Sequence, residues 1–249
     1  MIPINKPLSL ARSIDRAHNH LLRESKMQKT LFVTAATVLA ISASPIHAHE
    51  AGDIILRAGA AMVSPNDSSS RISAGGAAIA GSKATVNSNT QLGLTLGYML
   101  TDNIGVELLA ATPFSHRVSV GGVGAAIDGT LARVKHLPPT VTLQYFPLDK
   151  SSRWQPYVGA GLNYTTFFNE KLTSAQKANG FSSLSLSDSW GLALQVGSDW
   201  KINDRLMLNA AVWRIDIDTK ATMRLGATPV KVKVDIDPWV YMVGLGYRF

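Results

Sequence analysis

The sequence predicts an all-β fold: an eight-stranded antiparallel transmembrane β-barrel with both termini periplasmic and long extracellular loops. Three observations predict it. From His49 onward, apolar residues alternate with small or polar ones in segment after segment, the period that sends successive strand side chains to opposite faces. Charged residues make up only 16% of the chain, and no apolar run after residue 48 is long enough for a spanning helix, whereas soluble domains carry roughly 25% charge. The final stretch sets Trp239, Tyr241, Val243, Leu245, Tyr247 and Phe249 against Val240, Met242, Gly244, Gly246 and Arg248. An apolar face with aromatics at both ends fits a strand tilted across a bilayer. The closing Tyr247 and Phe249 read as the signal that barrel assembly machinery recognises.

Residues 1–26 are basic and lack an apolar core, which marks them as an over-extended start or a leader outside the fold. Residues 27–48 have the three parts of a secretory signal peptide: Lys29, the apolar run Leu31 to Ala43, and a small-residue end at Ala48. The fold proper is residues 49–249. Cysteine is absent, which excludes disulfides and thiolate metal sites. The net charge of +7 falls to +3 once the six Lys/Arg and two Asp/Glu of residues 1–48 are set aside, so nucleic acid is not an expected partner.

The first strand, Asp53 to Val63, places Ile54, Leu56, Ala58, Ala60 and Met62 opposite Arg57 and Gly59. The second, Gln91 to Leu100, turns at Thr101-Asp102-Asn103 into a third carrying Ile104, Val106, Leu108 and Ala110 on one face and Glu107 and Leu109 on the other. The fourth ends at Tyr145 and contains Pro138-Pro139, which implies a bulge or kink. Tyr157 to Phe168, Trp190 to Trp200, Leu206 to Thr219 and Val230 to Phe249 complete the set. Short connections (101–103, 147–154, 201–205) alternate with long ones such as 64–90 and 169–189. In outer-membrane barrels the short turns are periplasmic and the long loops extracellular.

A soluble ligand-binding barrel is the structural rival, and it would turn its apolar face inward and its charges outward. Here the face opposite the apolar one is mostly Gly, Thr, Asn and Gln, which suits a narrow interior. Toward the long loops the parity changes sign. Arg214, Asp216 and Asp218 then point out while Trp213, Ile215 and Ile217 point in; Lys231, Lys233, Asp235 and Asp237 point out while Val230, Val232, Val234 and Ile236 point in. Charge facing hydrocarbon at mid-depth costs about 2–4 kcal/mol, so these segments should stand above the membrane around an apolar interior. The candidate lumen-lining residues are therefore Leu109, Trp213, Ile215, Ile217, Val232, Val234 and Ile236, with Leu109 and Trp213 as a constriction.

Several of these stretches resemble the OmpW family of outer-membrane proteins. They include Thr101-Asp102-Asn103-Ile104-Gly105-Val106-Glu107-Leu108-Leu109, His136-Leu137-Pro138-Pro139-Thr140, Pro156-Tyr157-Val158-Gly159-Ala160-Gly161, Asp188-Ser189-Trp190-Gly191, Asp237-Pro238-Trp239 and Gly246-Tyr247-Arg248-Phe249. The resemblance implies a Gram-negative outer-membrane barrel with a narrow, largely apolar lumen that passes small hydrophobic molecules and releases them sideways. The alternative is a non-conducting structural, adhesive or receptor barrel. The expected partners are outer-membrane lipids and lipopolysaccharide, the assembly machinery and small hydrophobic solutes.

No enzymatic role, cofactor or metal is expected. His49, His116 and His136 have no nucleophile at a diagnostic spacing, and His136 reads as an inward-facing strand histidine. The pairs Asp216/Asp218 and Asp235/Asp237 read as cross-strand ion pairs with Lys220, Lys231 or Lys233 rather than as a calcium site. Gly75-Gly76 and Gly121-Gly122 lack the strand-to-helix setting of a phosphate loop.

Overall fold

A computed structural model describes residues 49–249; the expected signal peptide and leader lie outside the described residues. From the N-terminal side the strands are β1 (Ile54–Ser64), the short β2 (Ser68–Ser69), β3 (Ser73–Ala74), β4 (Ala77–Ala78) and β5 (Lys83–Val86), then β6 (Asn89–Met99) and β7 (Ile104–Ala111). Next come β8 (Phe114–Gly121), β9 (Gly129–Leu137), β10 (Thr140–Tyr145) and β11 (Trp154–Leu172). A short helix, α1 (Ser174–Ala178), precedes β12 (Phe181–Leu186), β13 (Ser189–Lys201), β14 (Leu206–Ile215), β15 (Asp218–Leu225), β16 (Thr228–Asp235) and β17 (Trp239–Arg248).

Eight of these strands close on themselves in the order β10-β7-β6-β1-β17-β14-β13-β11, and β10 pairs again with β11. Every neighbouring pair is antiparallel. The wall obeys the alternation: Leu96, Leu143, Leu192 and Val243 are exposed, whereas Arg57, Thr142, Asn163 and Gln195 are buried inside. Exposed aromatics ring both ends. Tyr98, Tyr145, Trp154, Trp200, Tyr247 and Phe249 lie toward the short turns, and Trp190, Trp239 and Tyr241 toward the long loops. An apolar outer band between aromatic belts is the surface a bilayer solvates.

Closure joins the first strand to the last. Gly93, Gly59 and Gly244 form a row across β6, β1 and β17. A Cβ at Gly59 would collide with the carbonyl oxygen of Val243, and one at Gly244 with that of Ala58. Only a residue without a side chain lets the two backbones approach this closely.

Beyond the barrel, toward the long loops, stand two further sheets. In one, β15 pairs with β12 and β16, and β16 with β2 and β3. In the other, β8 pairs with β5 and β9, and β9 pairs with the upper part of β11 from Thr166 to Leu172. The long strands expected over 206–219 and 230–249 are therefore each interrupted, at Asp216–Ile217 and at Ile236–Pro238. Pro238 explains the second break, since it has no N–H for the ladder, and Asp237 before it adopts a positive φ of 37°. Pro138 and Pro139 likewise part β9 from β10, as their place in the sequence implies.

Candidate functional site

The lower lumen is filled by one polar network centred on Arg57. Its Nη1 donates to Glu107 Oε2 at 2.8 Å and its Nε to Asp199 Oδ1 at 2.9 Å, while Nη2 donates to Asp199 Oδ2. Gln195 Nε2 donates to Glu107 Oε1 at 2.8 Å, and Gln195 Oε1 accepts from Thr142 Oγ1 and Gln144 Nε2 at 3.0 and 3.1 Å. Asn209 Nδ2 donates to Asp199 Oδ1 at 2.9 Å and to Tyr157 Oη at 3.0 Å. His49 Nε2 lies 3.1 Å from Asp199 Oδ2. These groups come from six strands and, for His49, from the segment before β1, and all are nearly inaccessible to solvent. Opposite charges hydrogen-bonded to one another form a rigid floor, because separating them would leave a charge unpaired in a low dielectric.

Leu109 and Trp213 lie just above this floor. Counting along the ladders one way, Leu109 leads to Thr95, Arg57, Gly246 and Met207. The other way it leads to Thr140, Asn163 and Gly191, two residues short of Ala193, which faces Ile215. The position on β14 level with Leu109 is midway between these ends, beside Trp213. Both side chains are buried, 4% and 0% exposed, so they share one level of the lumen.

The space above is different in kind. Between the inner faces of the two upper sheets lies a cavity of about 90 Å³ with an almost wholly apolar lining. That is several times the ~10–15 Å³ that one water needs. Of the seven residues the sequence assigns to the lumen, Ile217, Val232, Val234 and Ile236 line this cavity. Leu109, Trp213 and Ile215 do not; they are buried below it. Parity selects a face but says nothing of height along the strand.

The cavity wall has a seam. Up to Thr165, β11 pairs with β13, but above it β11 pairs with β9 while β12 turns to β15. The Asp188 carboxylate bridges this parting, accepting from Tyr164 Oη at 2.7 Å and from the Phe167 N–H at 3.2 Å. Phe167 is also part of the cavity lining.

Residues 50–249 match the model of the OmpW family. The chain belongs to the OmpW family. Outer membrane protein W of Vibrio cholerae is 50% identical over 214 residues, 86% of this chain and 96% of that protein. The crystal structure of the outer membrane protein OprG from Pseudomonas aeruginosa is 56% identical and superposes with a TM-score of 0.79, covering 82% of this chain and 99% of that one. A more distant relative, 28% identical over 183 residues (74% of this chain, 82% of that protein), is named "Dibenzothiophene metabolism operon protein PahQ" from Pseudomonas aeruginosa. This OmpW-family barrel is thus an outer-membrane protein of a Gram-negative bacterium, its short turns periplasmic and its upper sheets extracellular.

The remaining residues singled out from the sequence fall as follows. Tyr247 and Phe249 lie exposed at the periplasmic end of β17, their rings edge to face with centroids 4.9 Å apart. His136 is buried and faces inward. The expected ion pairs on the outer hairpin do not form: Asp218 faces Asp235, and Lys220 faces Lys233. Period two places these charges on one face, but only the register decides which ones meet, and here like meets like. Partial burial and the carboxylates of Asp235 and Asp237 push the Asp218 carboxyl up.

Sequence reasoning missed the second cavity histidine as a member of the site. His116 sits on β8, a strand the alternation did not single out because the charged Arg117 and the turn residues around it dilute the pattern. Its Nδ1 is hydrogen-bonded to the Asn87 carbonyl oxygen. Its ring centroid lies 4.9 Å from that of His136, with Phe114 stacked on both rings and Phe167 tilted against His136. Burial pushes His116 down, and burial with the neighbouring His116 pushes His136 down to about 3, so both rings are neutral at pH 7.

Proposed function

We propose that this OmpW-family barrel takes small hydrophobic molecules from outside the cell into its apolar upper cavity and passes them across the outer membrane without chemical change. The observation that carries this reading is the contrast between an open apolar cavity and the filled polar floor beneath it. An apolar molecule gains about 25 cal/mol for each Å² it withdraws from water into such a cavity. It gains nothing by entering the network around Arg57, which it would have to break. The route onward is therefore lateral, through the wall where Asp188 rather than a backbone ladder holds the seam, into the hydrocarbon outside. The name of the relative PahQ links that protein to the metabolism of an apolar sulfur heterocycle, in keeping with a hydrophobic cargo. Lipopolysaccharide is the expected neighbour of the exposed cations on the outer hairpin, and the assembly machinery is the expected reader of Tyr247 and Phe249.

The test is transfer of a small apolar compound into vesicles whose outer leaflet is lipopolysaccharide, against a charged compound of similar size. Protein-dependent, saturable transfer of the apolar compound alone, lost in Val234→Asp, is the expected result. A folded barrel that transfers neither compound would replace this reading with the structural or receptor one.

A further inference from the structure

The upper cavity is not uniformly apolar: Thr219, whose hydroxyl donates to the Ser187 carbonyl oxygen, lies on β15, and the other polar lining residues are grouped. Two histidines lie together on its wall, one on β8 and one on β9, 3% and 6% exposed. Each keeps a buried ring nitrogen with no partner in the protein, Nε2 of His116 and Nδ1 of His136. A buried polar atom left unpaired costs about 1–3 kcal/mol, so two of them side by side in an apolar wall call for an explanation.

The tautomer of one ring is fixed by chemistry. A carbonyl oxygen only accepts, so His116 Nδ1, bonded to Asn87 O, carries the proton. In the neutral ring Nε2 is then an acceptor. His136 is likewise a neutral ring, with one N–H to donate and one lone pair to offer. A hydroxyl group needs one acceptor for its proton and one donor for its oxygen, and two neighbouring neutral imidazoles supply both. A charged head group would lose its hydration in this lining without a counter-charge among the cavity residues. A ketone or ether could use only the donor.

We propose that the His116–His136 pair is a polar recognition point within the cavity, selecting small apolar molecules that carry one hydroxyl group over their wholly apolar counterparts. This rests on the cavity being the cargo site. Phe114 stacks on both imidazoles and Phe167 lies tilted against His136; both unpaired nitrogens are covered, so the hydroxyl reaches them as the rings turn.

The experiment uses the full mature barrel in lipid nanodiscs, free of detergent that would compete for the cavity. Binding of toluene, benzyl alcohol and benzoate is measured at pH 7.5, each corrected for its partition into protein-free nanodiscs. Benzyl alcohol should bind about tenfold tighter than toluene, the equivalent of one or two hydrogen bonds, and benzoate should not bind. Benzyl alcohol, but not toluene, should shift the ¹⁵N resonance of His116 Nε2 in the wild-type protein, a readout that needs no variant to fold. In His116→Phe and His136→Phe the preference should vanish while toluene binding persists. Equal binding of toluene and benzyl alcohol, or no imidazole shift, would overturn the recognition point and leave the hydrophobic cargo site standing. Absence of binding by either compound to a folded barrel would instead remove the cargo site itself.

Discussion

The two halves of the lumen solve the same packing problem in opposite ways. Below Leu109 and Trp213, facing strands fill the interior with charges and amides that bond to one another in one network. Above them the strands break out of the barrel, splay into two sheets and face one another with Val, Ile and Phe around an unfilled space. The difference follows from what surrounds each half. The lower wall has spent its apolar residues on the lipid, so its interior must be polar and gains rigidity from directional bonds. The upper sheets turn their charges to water and so have apolar residues left for the inside, where contacts are non-directional and a guest can replace a missing neighbour.

The sharpest way to break this contrast is to unpair the floor. Arg57→Ala leaves Glu107 and Asp199 buried without their cation and should lower stability by about 3–5 kcal/mol, read from urea unfolding in lipid. Arg57→Met with Glu107→Gln and Asp199→Asn should recover most of that loss, since no charge is then stranded. In the upper half, Ile217→Ala should cost about 2 kcal/mol. Amide exchange should quicken in β15 and β16 and stay unchanged in β13 and β14; quickening throughout would mean that the halves unfold as one.

Acid should weaken the upper half. His136 is held near pKa 3 in the folded chain but is close to 6.5 when unfolded, so the unfolded state binds more protons between these values. Its contribution is complete above about pH 6.5 and declines as pH falls toward 3, by about 2 kcal/mol at pH 5. Thermal scans at pH 7.5 and 5 should show the loss in wild type, and His136→Phe should show a smaller one, the share of the buried His116 remaining. The smallest effect is expected at the seam: Asp188→Asn should leave stability within about 0.5 kcal/mol while raising lateral transfer severalfold. An unchanged transfer rate would place the exit elsewhere in the wall.

The barrel itself was legible because lipid enforces period two, and strands such as β6 and β13 depart from it on the outer face only at Thr90 and Ser198. The four cavity residues on β15 and β16 and just beside them were legible for the same reason, through the inversion of that parity. The floor was not. Arg57 and Glu107 are each a lone charge on a strand, Gln195 and Asp199 share β13, and nothing within a strand says that the three strands bring them together. Closure of the sheet brings them together, and closure is a property of register. The like-charge rungs Asp218–Asp235 and Lys220–Lys233 escaped for the same cause.

The row of glycines at the meeting of β1 and β17 decides more than curvature. The partners there are separated by nearly the whole described chain, as the bond from Arg248 to Asp53 shows, so this is the contact with the greatest loop to close. Every other ladder of the barrel can zip between neighbours while the molecule is still a ribbon. A methyl group at Gly59 would hold the two ends apart and leave a sheet with two raw edges, each a template for another chain. Whether the polypeptide ends as a solitary cylinder or as the seed of an aggregate is settled at the place where it has no side chain at all.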